Sequence, residues 1–457
     1  MILRKLLYIF QSENYDAERF VHFAYTHLRW WRLERRGTLH WTRKVWLLYG
    51  LTLLVEIVFA VIGWFLLGMI GVVMALLIDL FASPLFLVVS AWLISPFEQF
   101  LKRRIVNRAR NIMRQSKARV IGITGSFGKT TMKEIVAKLL EDSFVVVKTP
   151  ENINTDLGVV EFIFTHKKEI FEADIFIVEM GAHRRGDIQA LCDLVRPQYS
   201  ILTGISESHL ERFGSIENIV KGKFELPRAT RECTVLNDAN TYIHEAIQEQ
   251  QAILCEVIQV SEKDVTSIVP LENFAGLSFA WQGMPFTTKL LGQHNALLFV
   301  LGMTLAQKLG VSLEELQERV KLVVPVEHRL QPIYNPMTDV WILDDSYNGN
   351  REGALSAIEV LARSKGRKII LTPGLVELGE KSEEIHQQLA SEYIRVADEV
   401  LLIKSVMTGY IEAYFAEKGY TNFSVYATTP EAHADLGMVL RRGDTILFQN
   451  DLTDNYF

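Results

Sequence analysis

The chain is poor in cysteine: only Cys192, Cys233 and Cys255 occur in 457 residues. They show neither paired nor metal-ligand spacing, which argues against a disulfide-stapled scaffold or a cysteine metal site and leaves ordinary buried thiols suited to a reducing cytosol. A cationic excess is also lacking. The formal net charge is −6 and no recognition motif is present, so no nucleic-acid partner is expected and the local basic clusters need another cause. Nor is a cleavable leader expected, because the first long apolar run starts too far in and is too long.

What the chain has in excess is apolar sequence, concentrated in one place. From Val45 to Leu66, and again from about Gly68 to Ile94, it is nearly all Leu, Val, Ile, Phe, Gly and Ala, broken by Glu56, Asp79, Pro84 and a few small polar residues. Each run exceeds the roughly 20 residues that cross a bilayer. Two transmembrane helices, over 45–66 and 68–94, are therefore expected, with a tight turn over 66–69; an interfacial hairpin is the alternative. Six Lys or Arg lie between Arg29 and Lys44, and eight between Lys102 and Arg119. Both flanks should then face the cytoplasm, with the chain in the inner or plasma membrane and its polar mass on the cytoplasmic side. Residues 1–44, aromatic and basic, with Trp30, Trp31, Trp41 and Trp46 near the expected membrane boundary, read as an amphipathic lead-in resting on anionic membrane lipids. Two helices form no transport path, and Glu56 and Asp79 can face each other or a partner.

Residues 123–131, Ile-Thr-Gly-Ser-Phe-Gly-Lys-Thr-Thr, follow the strand-like Arg119-Val-Ile-Gly-Ile123 and run into a helical Met132-Lys-Glu-Ile-Val-Ala-Lys-Leu-Leu140. Gly125 and Gly128 let the backbone wrap an anion, with Ser126 and Thr131 in the same loop. Lys129 can reach terminal phosphates, and the Thr130 hydroxyl can ligate Mg²⁺. Ile123 stands where the strict phosphate-loop pattern has its first glycine. The loop reads as an ATP site rather than a plain Gly-rich turn. Downstream, the strand-like Ile175-Phe-Ile-Val-Glu-Met-Gly181 is almost entirely apolar up to Glu179, a carboxylate placed where Mg²⁺ on ATP is commonly held; a cap or salt bridge is the simpler alternative. Strands and helices alternate to the end, which predicts α/β architecture with mostly parallel sheets. The divisions are 1–117 (membrane anchor with basic amphipathic flanks), 118–318 (central ATP-binding domain) and 319–457 (smaller α/β domain).

Taken together, these segments resemble the Mur ligase family of ATP-dependent amide-forming enzymes of peptidoglycan synthesis, and within it the D-alanyl-D-alanine-adding members. The resemblance is carried by the loop at 124–131, Asn152-Ile-Asn154, Val178-Glu-Met-Gly-Ala-His183, His209-Leu-Glu-Arg-Phe-Gly-Ser215, Gly292-Gln-His-Asn295, Leu343-Asp-Asp-Ser-Tyr-Asn348 and Val376-Glu-Leu-Gly379. It implies that Lys129 contacts the phosphates, that Thr130 and Glu179 hold one Mg²⁺, and that His209 and a carbamylated Lys223 serve a second. A carbamate, formed from CO₂, turns a repelling ammonium into an anionic oxygen ligand. It further implies that His294 and Asn295 lie on the adenine side, although locally they read as a capped helix start. Arg329, Asp345, Tyr347 and Asn348 would line the cleft and meet the nucleotide, and Asn152, Asn154, His183 and Arg184 are expected on the substrate side.

Two departures bear on substrate. The hairpin stands where such enzymes carry a soluble domain for the uridine-diphosphate end of the acceptor, which brings in a lipid-linked wall precursor as an alternative carboxylate. The carboxyl end, Phe448-Gln-Asn-Asp-Leu-Thr-Asp-Asn-Tyr-Phe457, lacks the family's Lys-Gly-Ser-Arg type of segment, so the identity of the amino acid or short peptide does not carry over. Gly349-Asn350 also replaces the common Ala-Asn-Pro. Two alternatives stand beside single amide formation: a membrane-bound poly-amino-acid synthase, and a non-catalytic ATP-binding scaffold that recruits wall-synthesis proteins.

Overall fold

Gly68 breaks the long apolar stretch. In the computed structural model it takes φ 60° and ψ −143° inside the helical run Arg43–Gln115, a conformation that strains any residue with a Cβ. The structure describes residues 2–13, 15–26, 38–151, 153–208, 210–249, 252–347 and 349–450, apart from the side chains of residues 76, 79 and 80. These fall into two units, one up to Ile105 and the other from Val106 onward.

In the first unit the chain doubles back at Gly68. A Cβ on Gly71 would fall 1.9 Å from the Gly63 carbonyl oxygen, so the two legs meet backbone to backbone. Further along, Thr52 and Ser90 share a fully buried hydroxyl–hydroxyl bond of 3.1 Å, and Lys44 pairs with Glu98 at 2.9 Å. The described stretches Arg43–Ala75 and Phe81–Gln115 each hold an apolar window long enough to cross a membrane, and the break at Gly68 divides the run into its two legs. The expected pairing of Glu56 with Asp79 involves a side chain outside the described residues, as do Trp30 and Trp31.

The lead-in differs from expectation. Helices Ile2–Ser12 and Ala17–Thr26 are amphipathic, but Leu6, Leu7, Phe10 and Phe20 are completely buried with Val45, Leu48 and Leu87. Their apolar faces are covered by protein and are not free to rest on lipid. The hairpin offers those faces an apolar partner that sequence periodicity alone does not reveal.

Among the described residues the second unit holds three sheets. The first contains β1 (Arg119–Thr124), β2 (Val146–Lys148), β3 (Ile175–Glu179), β4 (Tyr199–Leu202), β5 (Cys233–Asn237) and β6 (Glu256–Val260). All pairings are parallel, in the order β2-β3-β1-β4-β5-β6. Strands β1, β3, β4 and β5 are almost wholly buried and apolar, as parallel strands covered on both faces must be. The chain reverses its winding at β1, so the loop after Thr124 opens at a topological switch point, where such sheets bind ligands.

Strands β7 (Thr266–Pro270), β8 (Leu277–Trp281) and β9 (Met284–Thr288) form a small antiparallel sheet. The β8–β9 turn places Gln282 and Gly283 at φ 49° and 78°, as a tight hairpin requires.

The last sheet contains β10 (Gln331–Asn335), β11 (Val340–Asp345), β12 (Lys368–Thr372), β13 (Glu399–Ile403), β14 (Phe423–Tyr426) and β15 (Thr445–Gln449). Its order is β10-β11-β15-β12-β13-β14, parallel except for the β10–β11 hairpin. The α/β reading therefore holds for both domains. The second unit begins ahead of residue 118: Ala109 and Met113 are buried in the central core with Val120 and Phe176, and Ser116 bonds to Ile170.

Candidate active site

The phosphate loop is shaped by close contacts. A Cβ on Gly125 would lie 2.0 Å from Thr203 Oγ1, and Gly128 sits at φ 72° against Leu298. The Phe127 ring lies over Gly204, where a Cβ would come within 2.1 Å of it, and the Ser126 N–H donates to Gly204 at 2.7 Å. Helix Lys129–Leu140 starts directly from this loop without a side-chain cap, leaving the helix amino terminus facing the site. Lys129 Nζ donates to the Gly125 carbonyl at 2.9 Å. Its ammonium is pushed below its usual range chiefly by burial, with Arg329 adding to the shift and Glu179 opposing it.

Glu179, only 2 % exposed at the end of β3, is the most closely held acid of the site. Its Oε2 accepts from Thr130 Oγ1 at 3.1 Å and lies 3.2 Å from Lys133 Nζ, while its Oε1 accepts from the Asn154 amide at 3.1 Å. Burial alone would raise this carboxyl. Lys133, Lys129 and the Asn154 amide outweigh burial and hold it below the usual range. An ionised carboxylate beside a hydroxyl is a hard oxygen pair of the kind Mg²⁺ takes. Among the described residues, no group of three or more His, Cys, Asp or Glu is gathered for a metal.

A cavity of about 100 Å³ adjoins this cluster, lined by Gly128, Thr131, His294, Asn295, Arg329 and Asp345. His294 Nδ1 shares a 2.7 Å bond with Ser356 Oγ. The cavity walls crowd the imidazole and push it down to about 4, although the ring stays open to the cavity mouth. The Asn295 amide donates to the Leu291 carbonyl, whereas its Oδ1 is buried with no partner among the described residues. Arg329 stacks over the Tyr347 ring at 4.0 Å. Burial pushes the Asp345 carboxyl up to about 7 against the pull of Arg329 and of the Leu330 N–H, 3.0 Å away.

Lys223, 2 % exposed at the end of helix Ile216–Lys223, is pushed well below the usual ammonium range by burial and by Lys129, against Asp187 and Glu225. Asn154, expected on the substrate side, has its amide on Glu179. His183 and Arg184 are exposed, and their N–H groups donate to Asp187 at 3.0 and 3.2 Å. Asn152, His209 and Asn348 lie outside the described residues.

Sequence reasoning passed over Lys133, Arg212 and Asn450. Lys133 had one available signal: it stands one helical turn beyond Thr130, on the same face.

A phosphate loop at a switch point, a held carboxylate and a second α/β domain closing the same cavity define a two-domain nucleotide-binding enzyme fold. The family model described as "Mur ligase middle domain" matches residues 123–304, and "Mur ligase, glutamate ligase domain" matches residues 328–449. The chain belongs to the Mur ligase family, and its domains and fold class it among the Mur-ligase enzymes. It is 28 % identical to a UDP-N-acetylmuramoyl-tripeptide–D-alanyl-D-alanine ligase of Synechocystis over 72 % of this chain and 71 % of that one. Against the Escherichia coli protein of the same name it is 28 % identical over 61 % and 62 %. Less than two thirds of the latter relative is thus spanned. The fold is shared with MurF ligase from Thermotoga maritima, solved with ADP, at a TM-score of 0.66, 25 % identity and coverage of 77 % and 80 %. It is also shared with MurF from Acinetobacter baumannii, at a TM-score of 0.68, 23 % identity and 77 % coverage of each chain. Use of ATP and Mg²⁺ is typical of this family.

Proposed function

We propose that the chain is an ATP-dependent carboxylate–amine ligase, working through an acyl phosphate, that adds an amino acid or dipeptide to a wall precursor at the cytoplasmic face of a membrane. The observation that carries this reading is the single cavity shared by phosphate-loop residues Gly128 and Thr131, by Asn295, and by Arg329 and Asp345 of the other domain. The unpartnered Asn295 Oδ1 suits an exocyclic amino group such as that of adenine. The names of the relatives favour dipeptide addition, and the hairpin favours an acceptor held near lipid.

In this account the acceptor carboxylate attacks the γ-phosphorus of ATP, ADP leaves, and an acyl phosphate remains. The amine then adds to the acyl carbon, and the tetrahedral intermediate expels phosphate and loses a proton to give the amide. Lys129 leaves its carbonyl partners to offset charge on the transferring phosphoryl group. Thr130 and Glu179 would hold the Mg²⁺, which supplies further charge neutralisation when bound. Burial favours the neutral Lys223 amine, the form that reacts with CO₂, and the resulting carbamate would provide an anionic oxygen toward a second ion alongside His209. Domain closure over the cavity keeps water from the acyl phosphate.

The test is phosphate release by detergent-solubilised protein with Mg²⁺, ATP and bicarbonate. Uridine-linked and lipid-linked precursors are offered with amino acids and D-alanyl-D-alanine, and products are read by mass. Acceptor-dependent release with a matching mass gain is expected. ATP binding with no acceptor-dependent release would move the function to a scaffold or to an acceptor outside wall synthesis.

A further inference from the structure

Lys133 is a lysine with no exposed side-chain surface, on the first turns of helix Lys129–Leu140. A buried ammonium is retained only where its charge and protons are met. Here Nζ lies 3.2 Å from Glu179 Oε2 and donates to the Pro150 carbonyl at 3.2 Å. The Oε2 it meets is the same oxygen that accepts from Thr130, and Asn154, from the loop that follows Pro150, holds Oε1. One side chain therefore fixes both the carboxylate and the loop that supplies its second partner.

We propose that Lys133 is a positioning residue for the metal–nucleotide site: it aims Glu179 and ties down Pro150, at the start of the loop that supplies Asn154. Thr130 alone cannot do this, since a hydroxyl brings no charge to offset that of the buried carboxylate. Without the ammonium, Glu179 keeps a neutral donor on each oxygen and only the longer-range charge of Lys129, and is free to leave the Thr130 side. Groups in this position behind a metal ligand typically change metal affinity by about 10–100-fold when removed. The inference rests on the ATP–Mg²⁺ reading of the phosphate loop.

The experiment measures binding of a fluorescent ATP analogue to the full-length detergent-solubilised chain, with excess EDTA and with excess Mg²⁺, for wild type, Lys133→Met and Lys133→Gln, alongside thermal melting. The quantity compared is the ratio of the two affinities, which a merely structural role would leave unchanged because it shifts both conditions together. The expected result is a ratio at least about 10-fold smaller in both variants, with EDTA binding near wild type. Lys133→Gln keeps hydrogen-bond donors without the charge, so it decides the matter should Lys133→Met not fold. A wild-type ratio in Lys133→Gln overturns the inference and leaves the ATP reading intact. A wild-type chain that binds the analogue in neither condition overturns the ATP reading itself.

Discussion

Arg212 and Glu377 meet across the two α/β domains, with Arg212 Nε and Nη2 lying 2.6 and 2.5 Å from the same Glu377 Oε1. Glu377 is 8 % exposed and held at φ 61°, a conformation a glutamate adopts only under constraint. Arg212 belongs to helix Leu210–Phe213, and Glu377 to the loop after β12. The pair fastens the 206–214 segment to the second domain.

Removing Arg212 leaves Glu377 buried without this cation, so Arg212→Ala is expected to harm closure more than the double variant Arg212→Ala/Glu377→Ala does. A double-mutant cycle on kcat/KM for ATP should give a coupling of about 1–3 kcal/mol. Additive single effects would show that the pair does not link the domains.

Asp345 makes stability depend on pH. Its carboxyl is raised from the ordinary 3.8 to about 7, so between those values the folded chain holds a proton that the unfolded chain has lost. Its contribution is complete below pH 3.8 and fades as pH rises through about 7. The ceiling is about 4 kcal/mol, reduced by solvent in the cleft. Asp345→Asn should flatten this part of the profile in denaturant unfolding from acid to neutral pH. An unchanged slope would place the proton elsewhere.

Asn450 links three loops. Its N–H donates to the Asp345 carbonyl at 2.9 Å, its Oδ1 accepts from Gly349 N at 2.9 Å, and its Nδ2 donates to the Gly374 carbonyl at 2.6 Å, all at φ 62°. Asn450→Ala loses both side-chain bonds and must still adopt a left-handed backbone. Asn450→Gly loses the bonds alone. Urea unfolding should find the alanine variant about 1 kcal/mol less stable than the glycine variant. Equal stabilities would mean that the loop relaxes out of this conformation.

How much of this was legible follows the range of each interaction. The loop at 123–131 is a local pattern, and glycine, lysine and threonine in that order between a strand and a helix specify it without help. The hairpin is legible for the same reason, since length and apolarity are local properties. The resemblance brought Thr130 to Glu179, but the Lys133 contact was not legible, because Lys133 reaches Glu179 across 46 residues, and Arg212 reaches Glu377 across 165. The amphipathic faces of Ile2–Ser12 and Ala17–Thr26 showed that something covers them, but not that it would be Val45, Leu48 and Leu87. The β7–β9 sheet was missed because it stands outside the strand–helix alternation, between the stronger signals of β6 and helix His294–Lys308.

The division at Val106 gives a further expectation. A chain starting at Val106 should be soluble and bind ATP, whereas one starting at residue 118 loses Ala109 and Met113 from the core. The shorter form should be less stable by about 2–4 kcal/mol. Melting curves of the two decide it, and equal stability would show that the 106–117 segment is dispensable.

The most direct test of acyl-phosphate chemistry is an isotope transfer. Acceptor carrying oxygen-18 in its reacting carboxylate is incubated with ATP, Mg²⁺ and the amine, and the released phosphate is analysed by mass. One carboxylate oxygen should appear in the phosphate for each amide formed, because the acyl–oxygen bond breaks when the amine enters. Amide formation with unlabelled phosphate would contradict the mechanism and place activation elsewhere than on the γ-phosphate.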